Sequence, residues 1–507
     1  MKRTIALLLV FCLLLAGCGE EKEPYIPTGD ALVDGTGPTA PTQSEEVKEL
    51  KLAYDAQAGF HPYLCTDPTN RAIFSLVYQG LFAVNSDYKV EPMLCKSYEV
   101  SPDMRTYKFY LEEATFSGGQ RVTAEIVAAC LLAAAETGYY AGRFTHIETI
   151  EAALDGSVII TLDTPYENLP LLLDIPIILE QEDPEKAPLG TGPYILENTA
   201  TGKQLRRQPA WWCDAELEVN ASVISLIAGE SPSEIRDLFE FSQLGLVCTD
   251  PGSDSYVDFR GDYELWESEN GLFLYIGFNS ESKVFSVDSI RTALTHAIDR
   301  DALVRDFFRG FAHSATLPAS PYFPHYRDNL AARFGYAQEK FTNAVNEAQL
   351  EEKTVVFLVN KDDSRRMRTA RAIKKMIEQC GLQVTMSELP GEDFRKALKK
   401  GEFDLYLGQT KLSPNMDLTA FFAEDGALNF GKMDTVAANA VNLEALANAG
   451  NYQSLHELVM EEGLLCPILF RSDAIYGRRG LLSTLKPARD NIFYYTLGKT
   501  MEEALVK

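Results

Sequence analysis

Apolar residues recur along this chain with two periods, and the switch between them marks the elements. In "SYEVSPDMRTYKFYLEE" the residues Tyr107, Phe109 and Leu111 alternate with polar partners, the period of a half-buried strand. Ser101-Pro102-Asp103 supplies turn chemistry ahead of them, so a β-hairpin is expected. The run "TAEIVAACLLAAAE" then changes to helical spacing, with Thr123 as a cap and Glu125 in the first turn. "LFLYIGFN" (272–279) reads as a buried strand. "VDSIRTALTHAIDRDALVRDFF" after it reads as an amphipathic helix, with Ile290, Leu294, Ala297 and Ile298 on one face.

A stricter alternation follows. "TVVFLV" (354–359) is an apolar strand, 368–380 a helix with Ala370, Ile373, Ile377 and Cys380 inward, and "LQVTM" a second strand. Residues 392–400 form a short helix burying Phe394, Ala397 and Leu398, closed by Gly401, and "FDLYL" is the third strand. Strand, helix, strand, helix, strand implies a parallel sheet with right-handed crossovers. Ligands of such sheets bind beyond the carboxyl ends of the strands. The segment 408–418 leaves such an end, so topology puts Asp417 at a cleft. An alternative stays open: Asp417 caps a helix beginning near Leu418.

The pattern ahead of these elements is different. Lys2 and Arg3 precede an apolar run from Ile5 to Leu15 and the small residues Ala16 and Gly17, which is the layout of an export signal. The run is shorter than the about 20 apolar residues of a bilayer span. Leu15-Ala16-Gly17-Cys18 resembles a bacterial lipobox, which implies cleavage before Cys18 and a diacylglycerol on its sulfur. Residues 1–17 are thus expected as a lipoprotein signal peptide. Residues 18–47, rich in Pro, Gly, Thr and acids, are expected as a disordered tether. The remaining chain exceeds what one hydrophobic core organises, so at least two lobes are expected.

Charge and chemistry narrow the function. The formal charge is −26, and loss of residues 1–17 removes Lys2 and Arg3 and no acid, giving −28. Nucleic acid is excluded as a partner, because its phosphates need a basic face. Seven cysteines, Cys65 to Cys466, are scattered without Cys-x-x-Cys or zinc spacing. Mostly free thiols are expected, and no metal or cofactor. No His-Glu-x-x-His, Gly-x-Ser-x-Gly or phosphate loop occurs. "GTGPY" (190–194) lacks the third Gly of a dinucleotide fingerprint and reads as a turn entering the strand "YILE". No catalytic set is visible.

Several segments, in order, carry a family resemblance: "FHPYLC", "LVYQGLFAVNSDYKVEPMLCKSYEVSPDMRTYKFYL", "FSGGQRVTAEIV", "GTGPYIL", "GFNSESKVFSVDSIRTALTHAIDRDALV", "AIKKMIEQCGLQVTM" and "GEFDLYL". The chain resembles the family 5 extracellular solute-binding proteins, the dipeptide and oligopeptide binders of ABC importers. The resemblance implies an α/β, two-lobed periplasmic-binding-protein-like fold with a hinge between the lobes. It implies a large lobe of 48–270 plus 473–507, with a β-rich subdomain near 85–180, and a small lobe of 271–472. It implies a monomer on the extracytoplasmic face of the membrane, held by the lipid on Cys18, that passes a peptide or other small solute to a permease and an ATPase. In peptide binders an Asp holds the ligand amine, which falls in the segment of Asn415 and Asp417. An Arg grips the carboxylate in dipeptide binders, and its place here is taken by Asn360, with Arg365, Arg366 and Arg368 nearby. The family's usual Trp after the last strand is absent, with Thr410 near that place. The alternative function is a surface-anchored peptidase, or a sensor or adhesin in the same shell.

Overall fold

The computed structural model describes residues 50–506, apart from 184, 185, 201, 214 and 483. The expected signal peptide, tether and lipidated Cys18 lie outside the described residues. An eleven-stranded sheet runs through the molecule. From one edge its order is Gln383–Leu389, Thr354–Asn360, Leu405–Lys411, Tyr263–Phe278, Leu465–Arg478, Leu246–Thr249, Leu50–Asp55, Val223–Gly229, Gly202–Arg207 and Tyr194–Thr199. Ala312–Ser314 pairs onto Leu465–Arg478.

Thr354–Asn360 pairs in parallel with both Gln383–Leu389 and Leu405–Lys411. The βαβαβ unit read from the alternation is therefore present. Its helices differ slightly from expectation. The first is Ser364–Glu378, starting earlier because the Asp363 carboxylate accepts the Arg366 amide at 2.8 Å. The second, Gly391–Lys400, ends at Gly401, whose φ of 71° is the left-handed stop that glycine favours. The stretch expected as one helix after residue 287 is two, Asp288–Thr295 and Arg300–Phe307. The first ends on His296, and Asp299 starts the second by accepting the Ala302 amide at 3.0 Å.

The rest of the chain supplies a second body. Its helix Pro68–Val77 starts on Asp67, which accepts the Asn70 amide at 3.0 Å, with Pro in the first turn. The expected hairpin is present. Ser101 Oγ accepts the Thr106 amide at 2.9 Å, and the strands Cys95–Val100 and Thr106–Leu111 form a four-stranded antiparallel sheet with Val158–Leu162 and Ile147–Ala152. Thr123 caps Ala124–Ala135 as expected. The architecture is a mixed α/β fold of two lobes. One hydrophobic core gathers Phe74, Phe109, Leu131 and Tyr194, and another Phe278, Phe341, Phe357 and Ile373. A third mixes Tyr88 and Leu171 with Tyr275, Phe421 and Tyr452, so residues distant in sequence close the lobes on each other.

Two long strands connect the lobes. Tyr263–Glu269 faces Ser472–Arg478 and Phe273–Gly277 faces Leu465–Phe470, with a register shift between Glu269 and Phe273. Gly271 sits in that shift at φ 73°, and the Arg489 guanidinium fills the space a side chain would take. Only glycine tolerates both conditions.

Candidate functional site

Where the lobes meet there is a cavity of about 320 Å³. The helix Pro68–Val77 presents Arg71 to it, and Tyr139 follows the helix Ala124–Ala135. Lys411 is the last residue of its strand. Asp473 lies on the second long strand, opposite Ser268. Asp250 follows the strand Leu246–Thr249, and Asp490 lies in the C-terminal segment. A concave site with a few convergent polar groups contributed by both lobes is the ordinary form of a small-molecule site.

The charges are sorted by position. Asp490 accepts hydrogen bonds from Lys411 Nζ at 3.1 Å, Arg143 Nη2 at 3.4 Å and the Tyr139 hydroxyl, and Arg71 lies 4.0 Å away. Burial alone would raise its carboxyl, but Lys411, Arg71, Arg489 and Arg143 together hold it well below the usual range. Lys411 also donates to Tyr139 Oη and to the Asn270 carbonyl, both at 2.9 Å. Burial pushes its ammonium down to about 7, with the neighbouring arginines adding to the effect of burial and Asp490 opposing it. Tyr139 is sandwiched by cations: the Arg71 guanidinium lies 3.8 Å and Lys411 Nζ 4.2 Å from its ring centre. Asp473 is raised to about 7, by burial first and then by the charge of Asp250.

The residues expected from sequence lie elsewhere. Asp417 does not line this cavity. Its side chain is 6 % exposed, and its Oδ1 accepts the Thr419 amide at 2.9 Å, the Thr419 hydroxyl at 2.7 Å and Asn442 Nδ2 at 2.9 Å. Its Oδ2 lies 3.3 Å from Nε2 of His146, across the lobe boundary. The carboxylate is therefore fully engaged by the protein. The bond to the Thr419 amide closes an Asx turn one residue ahead of the N-cap Leu418, so Asp417 is not the helix cap. Asn415 is buried beside a second cavity of about 350 Å³ lined by Tyr88, Tyr166, Phe323, His325 and Tyr452. Asn360 ends its strand and accepts the Asp362 amide at 3.0 Å, away from both cavities. Arg365 is buried. It donates to the carbonyls of Pro251 and, at 2.7 Å, Ser253, so it clamps one lobe to the other.

Sequence reasoning missed Arg71, Tyr139, Lys411, Asp473 and Asp490. Two had a readable signal. Lys411 terminates "LYLGQTK", and Asp473 follows Arg471 within the largely apolar "LCPILFRSDAIYG", so each puts a charge into a mainly buried strand. Such a charge is retained where something pairs with it.

A family profile described as bacterial extracellular solute-binding proteins, family 5 Middle, matches residues 89–426, two thirds of the chain. The chain belongs to this family of extracellular solute-binding proteins. Glutathione-binding protein GsiB of Escherichia coli (strain K12) is 27% identical over 271 residues, which is 50% of this chain and 52% of that protein. The chain thus spans about half the length of the curated relatives it matches. Among solved structures, the ABC transporter substrate-binding protein CtaP of Listeria monocytogenes superposes with a TM-score of 0.70 at 16% identity, covering 90% of this chain and 99% of that one. NikA from Brucella suis, in complex with Fe(III)-EDTA, gives 0.67 at 19% identity, covering 85% and 95%. Both structures support the two-lobed fold. Among the described residues no helix is long and apolar enough to cross a membrane.

Proposed function

We propose that this protein is a lipid-anchored, extracytoplasmic receptor that captures a small charged, peptide-like solute in the cavity of Arg71, Tyr139, Lys411 and Asp473 and delivers it to an ABC permease and its ATPase. The observation that carries the reading is the cavity itself: polar groups from both lobes converge on one space, so a ligand there gains contacts from each lobe only when they close. Kinship to a glutathione-binding protein supports a peptide-like solute. Leu15 to Cys18 supports the lipid anchor. We place the hinge at 269–273 and 470–473, where the register shift and Gly271 loosen the two long strands. The large lobe is then 48–270 plus 473–507 and the small lobe 271–472.

The test is mass spectrometry of solutes released by denaturing the purified protein. The expected result is a small zwitterionic solute in the wild type and its loss in Tyr139→Ala, which removes the ring between Arg71 and Lys411. Retention of the same solute by that variant counts against the cavity as the site. Cys18→Ala is expected to leave the membrane fraction with solute binding intact.

A further inference from the structure

Four carboxylates line the cavity, and their partners differ. Asp490 faces several cations. Asp250 accepts Arg471 Nη2 at 2.6 Å and the Gly252 amide at 2.7 Å. Glu269 accepts the hydroxyls of Tyr88, at 2.9 Å, and Ser320. Asp473 accepts the Asn270 side-chain amide at 3.1 Å, and among the described residues no cation lies in ion-pair contact with it. The charges of Arg471 and Lys411 act on Asp473 without ion-pair contact, and Arg471 is bound to Asp250. At the other end the surplus is positive. Arg71, Arg143, Lys411 and Arg489 cluster around Asp490, and Asp174 is the second carboxylate there, bound to Arg143. Four basic side chains thus face three carboxylates, since the charge of Glu269 also acts on Arg489.

We infer that the bound solute lies with an anionic group against Lys411 and Arg71 and an ammonium against Asp473. This deepens the proposed function and rests on the cavity being the binding site. A buried charge is stable only when paired. The solute supplies the missing partner at each pole, and the hydrogen bonds it makes are charge-assisted. The orientation is the reverse of one in which Asp417 holds the amine, because the segment leaving the strand Leu405–Lys411 takes the acid.

Burial pushes the Lys411 ammonium down to about 7 and the Asp473 carboxyl up to about 7. An ammonium at Asp473 favours its ionised form and releases a proton to the buffer. An anion at Lys411 favours the ammonium and takes a proton up. The two oppose each other in the wild type and separate in the variants.

The probe is trialanine in three forms, free, N-acetylated and C-amidated, titrated calorimetrically into the full mature chain in buffers of different ionisation enthalpy. The wild type is expected to bind the free form about 10- to 100-fold more tightly than either blocked form. Asp473→Asn should lose the discrimination against acetylation, keep that against amidation, and show net proton uptake. Lys411→Met should do the converse and show net release, and Lys411→Gln provides the same comparison should Met destabilise the fold. If Asp473→Asn rejects the acetylated form as strongly as the wild type does, or if the wild type binds none of the three forms, the inference is overturned. Loss of the co-purified solute in Tyr139→Ala leaves the cavity standing as the site even then, so the two failures are distinguishable.

Discussion

His146 joins the lobes through a single ring. Its Nδ1 lies 3.1 Å from Asp163 Oδ1, and its Nε2 lies 2.9 Å from Thr419 Oγ1 and 3.3 Å from Asp417 Oδ2. Burial lowers its affinity for a proton, but the hydrogen bond and charge of Asp417, with Asp163 behind, outweigh burial and raise it. Asp417 is held below its usual range for the reciprocal reason: burial would raise it, and His146, Asn442 and Thr419 lower it. On the proposed lobe boundaries this contact bridges the two lobes, so opening them would break it. Its contribution to closure is complete below the ordinary imidazole value of about 6.5 and fades as pH rises through the raised value. On the acid side it is complete above the ordinary carboxylate value of about 3.9 and fades as pH falls through the lowered one. Solute affinity should therefore tighten, by up to about tenfold, as pH falls from 8 to 6. His146→Gln should flatten that part of the profile. An unchanged profile in the variant would assign the pH dependence to the cavity groups instead.

At the scale of elements, "GTGPY" has a packing role. Gly192 donates its amide to the Val77 carbonyl at 2.9 Å, and Ser117 donates to the Gly190 carbonyl at 2.9 Å. A Cβ on Gly190 would collide with the Val77 carbonyl oxygen, and one on Gly192 would come within 2.6 Å of the Val77 carbonyl carbon. These two glycines let the chain press against the end of the helix Pro68–Val77, whose other end region bears Arg71. Neither Val77 backbone nor the buried turn can yield cheaply. Gly190→Ala is expected to cost roughly 1–3 kcal/mol by overpacking, read as a lowered denaturation midpoint. It should also weaken solute binding, because the helix that aims Arg71 shifts. A variant with wild-type stability would mean that the turn relaxes freely.

For the whole molecule, contacts between the proposed lobes lie beside both cavities. Arg365 reaches the 251–253 carbonyls on one side, and the Glu167 amide donates to the Leu446 carbonyl at 3.0 Å on another. These are weak individually and cooperative in closure, so a modest ligand free energy can shift the balance between open and closed forms. Small-angle scattering should give a radius of gyration near the about 23 Å expected of a compact chain of this length when solute is bound, and a larger value without it. Arg365→Ala should move the solute-free protein further toward the open form. A radius insensitive to proven binding would mean that the solute enters without lobe motion.

The order of elements was legible in the sequence because it depends on local periodicity. The hairpin before Thr106, the Thr123 cap, the βαβαβ unit and the stop at Gly401 all follow from neighbours within a few residues. The family, too, was legible, since its motifs are linear. The cavity was not. Arg71, Tyr139, Lys411, Asp473 and Asp490 come from five separate segments, which only the tertiary fold brings together. Asp417 shows the difference most clearly. Topology put it beyond the carboxyl end of its strand, where it is. Whether its carboxylate faced solute or protein depended on His146 and Asn442, whose approach no local pattern records. Periodicity determines which face of an element is buried, whereas the partner met on that face is set by packing across the whole chain.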